Sequence, residues 1–135
     1  MATHAHAAAQ LTRNQGLVFD ALSGASGPLS AYAILDALRG EGFRAPLQVY
    51  RALDKLVAIG LVHRLESLNA FVACRQDSCG SHGTIAFAIC EQCGRVSEFA
   101  DDAVAGLLDG WAKAERFTLS RTVIELRGVC GACGG

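Results

Sequence analysis

Apolar positions recur at helical spacing three times in the first sixty residues. Val18, Ala21 and Leu22 mark a first helix over 11–23, which Thr12 opens with Gln15 three residues later, the spacing of a capping box. The glycine- and proline-containing run over 24–28 ends it. Ser30 caps a second helix with Ile34, Leu35 and Leu38 on its apolar face and Gly40 as its stop. Pro46 suits the first turn of a third helix and Gly60 its C′ position, so that helix runs over 46–59. On a wheel Val49, Leu53 and Leu56 share one face, and Gln48, Arg51 and Lys55 share nearly the opposite one. The stretches 61–67 and 68–74 then alternate loosely and break over 67–70, which predicts a β-hairpin. If its turn is centred between Leu68 and Asn69, His63 and Cys74 face each other across it. Three short helices and a hairpin are the outline of a winged helix-turn-helix, here over 11–74.

Beyond it the pattern changes. Residues 1–10 are an Ala- and His-rich tail, in which His4 and His6 carry no ligand spacing, and 75–83 are polar and unpatterned, a hinge. Strands are predicted over 84–89 and 95–99. A helix over 101–115 follows, with Val104, Leu107, Leu108 and Trp111 at i, i+3, i+4 and i+7, and then a long strand over 116–128. The overall expectation is an α+β chain: a winged helix-turn-helix followed by a small α/β unit over 84–135. Burial alone stabilises a unit of 52 residues only marginally, and a metal or a partner subunit usually helps.

Composition narrows the classes. With 135 residues and 51% hydrophobic content the chain can bury a core. No apolar stretch approaches the roughly 18 residues that span a bilayer, and the opening lacks a basic n-region, so a cytoplasmic protein with no membrane partner is expected. Charges nearly cancel, 12 basic against 13 acidic, but not uniformly. Arg39, Arg44, Arg51, Lys55, Arg64 and Arg75 outnumber Glu41, Asp54 and Glu66, leaving the middle at +3, whereas five bases meet seven acids after Thr84. A basic segment followed by an acidic one fits one half meeting an anion.

Six cysteines in a chain without a secretory signal point to metal or redox chemistry rather than structural disulfides. Cys90-x-x-Cys93-Gly94 and Cys130-x-x-Cys133-Gly134 are two knuckles that together supply four thiolates, a tetrahedral set suited to a structural zinc. With 36 residues between them, the ion would staple the chain end back onto the strand before Gly94. Two redox dithiols or two disulfides are the alternatives; a thioredoxin-like dithiol should open a helix, whereas Gly94 leads into a strand. His63, Cys74, His82 and Glu98 are a second, scattered set, each with an ordinary reading as a strand histidine, a small buried hydrophobe, a loop residue and a surface acid. Cys79, three residues before His82, is a fifth candidate.

The stretch 49–67, VYRALDKLVAIGLVHRLES, together with the two knuckles in this order, resembles the ferric uptake regulator family of bacterial metal-sensing repressors, and within it is most similar to the zinc uptake regulator branch. The resemblance covers nearly all the chain after the first ten residues. It implies that 84–135 is a dimerisation domain and that the protein is a homodimer binding double-stranded operator DNA. It further implies two zinc ions per subunit, a structural one at Cys90, Cys93, Cys130 and Cys133, and a regulatory one at His63, Cys74, His82 and Glu98. The histidine-rich run typical of iron- and peroxide-sensing members is missing before the first knuckle. Tyr32 matches a tyrosine near DNA. Arg51 can read guanine bidentately, while Lys55 and Arg64 neutralise phosphates; Gln48 and Tyr50 complete the DNA-binding set. The function implied is zinc-dependent repression of zinc-uptake genes, without catalysis and without a small organic substrate; a sensor of another metal, or a thiol redox switch on Cys74 and Cys79, is the alternative. A zinc enzyme is disfavoured because no H-E-x-x-H motif occurs and four protein ligands leave no position for water.

Overall fold

The computed structural model describes residues 10–74, 85–120 and 122–134 and divides into two compact units, Met1–Gly80 and Ser81–Gly135. The expected tail, except Gln10, and the expected hinge over 75–83 lie outside the described residues. No helix among the described residues is long and apolar enough to cross a membrane.

In the first unit, α1 (Arg13–Ser23) opens with the predicted capping box: the Gln15 N–H donates to Thr12 Oγ1 at 3.2 Å and the Thr12 N–H donates to Gln15 Oε1 at 3.1 Å. In α2 (Ala31–Ala37), Ser30 Oγ accepts from the Ala33 N–H at 3.1 Å. The chain does not stop at Gly40. It tightens into a 3-10 turn over Arg39–Glu41 and reverses at Gly42, whose φ of +99° lies in the left-handed region open to glycine. Helix α3 (Pro46–Ala58) follows, with proline in its first turn and Gly60 at φ +83° beyond its end. Its inner face, Val49, Leu53 and Leu56, is fully buried against Val18, Leu22, Ile34 and Leu35.

Strands β1 (Val62–Leu65) and β2 (Ala70–Ala73) form the antiparallel hairpin. The register differs from the expected one: His63 pairs with Val72, and the Cys74 N–H donates to the Leu61 carbonyl at 2.8 Å. The turn occupies 66–69, with Asn69 at φ +49° accepting at Oδ1 from Arg64 Nη2 at 3.0 Å, so it is centred one residue earlier. That moves each pairing by two residues and leaves every side chain on its expected face. His63 and Cys74 are consequently diagonal neighbours. An isolated bridge between Leu29 and Phe71 pins the start of α2 to the hairpin.

In the second unit the strand order is β4-β3-β5, with β3 (Ile85–Cys90) antiparallel to β4 (Val96–Ala100) and parallel to β5 (Ile124–Gly128). Helix α4 (Asp102–Ala114) connects β4 to β5; Asp101 Oδ1 caps it by accepting from the Ala103 and Val104 N–H groups at 2.8 and 3.2 Å. The long strand predicted over 116–128 is formed only over Ile124–Gly128. Its first residues instead close α4: Arg116 takes φ +54°, the Phe117 N–H donates to the Ala112 carbonyl at 2.7 Å, and the Phe117 ring packs on Trp111 with centroids 5.6 Å apart. One further helical turn, α5 (Gly131–Gly134), carries the second knuckle.

Leu53→Ala should cost the first unit about 2–5 kcal/mol, the range for emptying a fully buried leucine site. Chemical denaturation followed by circular dichroism reads the loss, and metal bound at the cysteine knuckles should be unchanged.

Candidate metal centre and nucleic-acid face

The parallel pairing of β3 and β5 sets Cys90 opposite Gly128, two residues before Cys130, so both knuckles emerge at one end of the sheet. The sulfurs of Cys90, Cys93, Cys130 and Cys133 all lie within 4.8 Å of one another, with Cys93 Sγ and Cys130 Sγ 3.8 Å apart. Gly94, at φ +76°, makes the turn beneath the first pair, and its N–H donates to the Cys90 carbonyl at 3.0 Å. All four thiols are free.

The electrostatics of this cluster identify what fits it. The Cys130 N–H at 3.3 Å, then the Cys93 N–H at 3.5 Å, donate to Cys90 Sγ and hold its thiol at about 6, well below the ordinary 9.0. The Cys133 backbone likewise lowers Cys130. Hydrogen bonds to the sulfurs of Cys130 and Cys93, aided by desolvation, push Cys133 up to about 12. Four sulfurs this close cannot all ionise without a counter-charge. A dication that prefers soft tetrahedral donors satisfies them, and zinc has that preference.

Of the second set, His63 and Cys74 belong to the first unit and their ligand atoms lie within 4.8 Å of each other despite the changed register. A diagonal pair about 7–8 Å apart at Cα is within reach of a histidine side chain. Cys74 is buried and disulfide-bonded in this structure, so metal ligation requires its reduced form. Glu98 lies on β4 of the second unit, paired with Phe87 and half-buried. His82 and Cys79 are outside the described residues.

On α3, Arg51 and Lys55 are exposed on the side opposite the buried Val49, Leu53 and Leu56. Tyr32, at the start of α2, is 63% exposed, whereas Tyr50 is half-buried and packs against the core. Arg64 is held at the hairpin tip by Asn69 and by Glu66, 3.6 Å away. Gln48 is engaged differently from its neighbours: its Oε1 accepts from the Arg44 and Ala45 N–H groups at 2.7 and 3.0 Å. The sequence signal for that cap is half hidden. Gln48 has the spacing of a capping-box partner, but alanine stands where serine or threonine would announce it.

A three-helix unit ending in a β-hairpin, followed by a sheet unit closed by a four-cysteine cluster, defines a two-domain protein with the element order of a winged-helix regulator. Residues 11–127 match the profile of the Ferric uptake regulator family, and the chain belongs to that family. It is 39% identical over 125 residues to the zinc uptake regulation protein of Escherichia coli (strain K12), covering 92% of this chain and 72% of that one. It is 31% identical over 108 residues to the ferric uptake regulation protein of Legionella pneumophila, covering 78% and 76%. Among solved structures it is similar to holo XcZur, with a TM-score of 0.81 at 39% identity over 90% of this chain and 84% of that one. It is also similar to a zinc uptake regulator complexed with zinc and DNA, with a TM-score of 0.83 at 37% identity over 91% and 82%.

In metal-free protein the earliest thiolate ionisation should be centred near pH 6, followed by ultraviolet absorbance and absent in Cys90→Ser. Because this pKa is depressed by folding, its contribution to stability is complete above the ordinary thiol value of 9.0 and disappears as pH falls through about 6. Zinc loading should remove the step.

Proposed function

We propose that this chain is a zinc-responsive transcriptional repressor that binds operator DNA as a zinc-loaded homodimer and controls zinc-uptake genes. The observation that carries the proposal is its 39% identity over 92% of its length to a zinc uptake regulation protein, a likeness extending to a regulator solved with zinc and DNA. Helix α3 is the recognition helix. Arg51 reads a guanine edge, Lys55 and Arg64 meet phosphates, and Tyr32 with Tyr50 borders the contact.

Each subunit takes two zinc ions. When bound, zinc supplies positive charge and a tetrahedral preference to its donors. Cys90, Cys93, Cys130 and Cys133 hold the structural ion and with it the end of the chain. His63, Cys74, His82 and Glu98, drawn from wing, hinge and β4, hold the regulatory one. The proximity of His63 and Cys74 supports this set. Selecting one conformation for a hundredfold gain in DNA affinity requires roughly 3 kcal/mol of differential binding. Dimerisation is supported by α4, whose apolar face is uncovered in the single chain: Leu107 is 76% and Trp111 57% exposed, with Val104 and Leu108 beside them. The residue boundaries 11–74, 75–83 and 84–135 are the proposed DNA-binding, hinge and dimerisation segments, and 1–10 the tail.

The disulfide at Cys74 favours a second reading, in which a thiol switch on Cys74 and Cys79 governs DNA binding. Zinc titration of DNA binding, with the protein reduced and then mildly oxidised, separates the two: a zinc response that requires reduction but not an oxidant cycle supports the zinc sensor, and DNA binding set by thiol state at constant zinc supports the switch.

Two chemically identical substitutions test the division of the metal sites. Cys74→Ser should keep the dimer, the structural zinc and the far-UV spectrum while losing most zinc-stimulated DNA binding; Cys90→Ser should lose metal and dimerisation together. Metal analysis, sedimentation and operator binding check both, and a fully responsive Cys74→Ser overturns the regulatory set. Arg51→Ala should cost about 1–3 kcal/mol of operator affinity and relax base preference at one position of each half-site. Equal binding by variant and wild type removes Arg51 from the interface.

A further inference from the structure

We infer that Arg44 is a DNA-phosphate contact and that Gln48, rather than reading a base, is the residue that positions it. The inference rests on the DNA-binding reading above and on the geometry of the segment leading into α3. Gln48 Oε1 accepts two hydrogen bonds, from the backbone N–H of Arg44 at 2.7 Å and of Ala45 at 3.0 Å. On the other side, Gly42 turns the chain at φ +99° and the Phe43 side chain is buried, 2% exposed. Arg44 therefore stands between a buried anchor and a capped residue, with its backbone held and its own side chain exposed.

The charge pattern shows what such a side chain can meet. Among the described residues of the first unit Arg13, Arg39 and Arg64 each form an ion pair, whereas Arg44, Arg51 and Lys55 form none; among those of the second unit Arg127 is paired and Arg95, Lys113 and Arg116 are not. Residues 44, 48, 51 and 55 follow at steps of four, three and four, which places them along one side of the helix and its lead-in. Helix α3 has no acid in its first turn to oppose an anion there. From Pro46 to Lys55 the helix rises roughly 13 Å at about 1.5 Å per residue, and the extended Ala45 carries Arg44 beyond that, against a major groove about 12 Å wide, so cations at the two ends can reach bordering phosphates while Arg51 faces the bases. Gln48, with its amide oxygen committed to the backbone, has lost the acceptor half of the bidentate pair that reads adenine.

The test uses the full-length zinc-loaded protein and two duplexes, one enriched from random sequence by the wild type and one scrambled. Arg44→Ala and Gln48→Ala should each weaken binding to both duplexes, reduce the slope of log affinity against log salt by about 2 for the dimer, one phosphate per subunit, and leave base preference unchanged. The double variant should bind no more weakly than Arg44→Ala alone, because Gln48 acts through Arg44. Adding Ala45→Ser to Gln48→Ala restores a cap to α3 but not the hold on Arg44, so the melting temperature should recover while the salt slope stays low. An unchanged slope in Arg44→Ala overturns the proposal, as does a Gln48→Ala that relaxes one half-site position at full slope. A wild type that enriches no duplex from random sequence overturns the DNA-binding reading itself.

Discussion

Mutual repulsion among four sulfurs within 4.8 Å of one another is the constraint around which the second unit is organised. Backbone amides partly answer it at Cys90, and Cys133 retains its proton at the cost of a pKa near 12. A dication held by the four sulfurs would relieve the rest. The unit has little else to rely on: among its described residues only Ala86, Phe87, Ile89, Cys90 and Ala112 are buried, and the outer face of α4 is uncovered. The α4 crossover, the parallel ladder of β3 with β5 and the hydrogen bond from the Cys130 N–H to Cys90 Sγ hold the end of the chain onto the sheet, and a unit with so few buried side chains is one that a metal or a partner subunit would stabilise.

The first unit solves the opposite problem. Its described core is continuous and apolar, from Val18 through Ile34 to Leu53 and Val62. Burial of one face of α3 sets the orientation of the other, so Arg51 and Lys55 are held outward by packing that they do not share. The bridge from Leu29 to Phe71 ties the capped start of α2 to the hairpin, making helices and wing one piece. The exposed cations of α3 and the four-cysteine cluster thus belong to different units of the chain.

Local determinants were legible in the chain: the Thr12–Gln15 box, the Ser30 cap, the Pro46 and Gly60 limits of α3, its buried face and the two C-x-x-C-G knuckles all depend on residues within a turn or two of each other. The hairpin register, the parallel pairing of β3 with β5, the shortening of the last strand and the capture of Gln48 were decided by the tertiary structure. Register slipped past the pattern because a two-residue shift preserves alternation; the observed pairing goes with a turn over 66–69, with Asn69 at positive φ and bonded to Arg64. The predicted last strand begins late because Arg116 and Phe117 close α4, with the Phe117 N–H on the Ala112 carbonyl and its ring beside Trp111. Periodicity and capping are set by near neighbours along the chain, but which strand meets which, and at what offset, is settled by contacts between residues distant in sequence, where the local pattern carries no information.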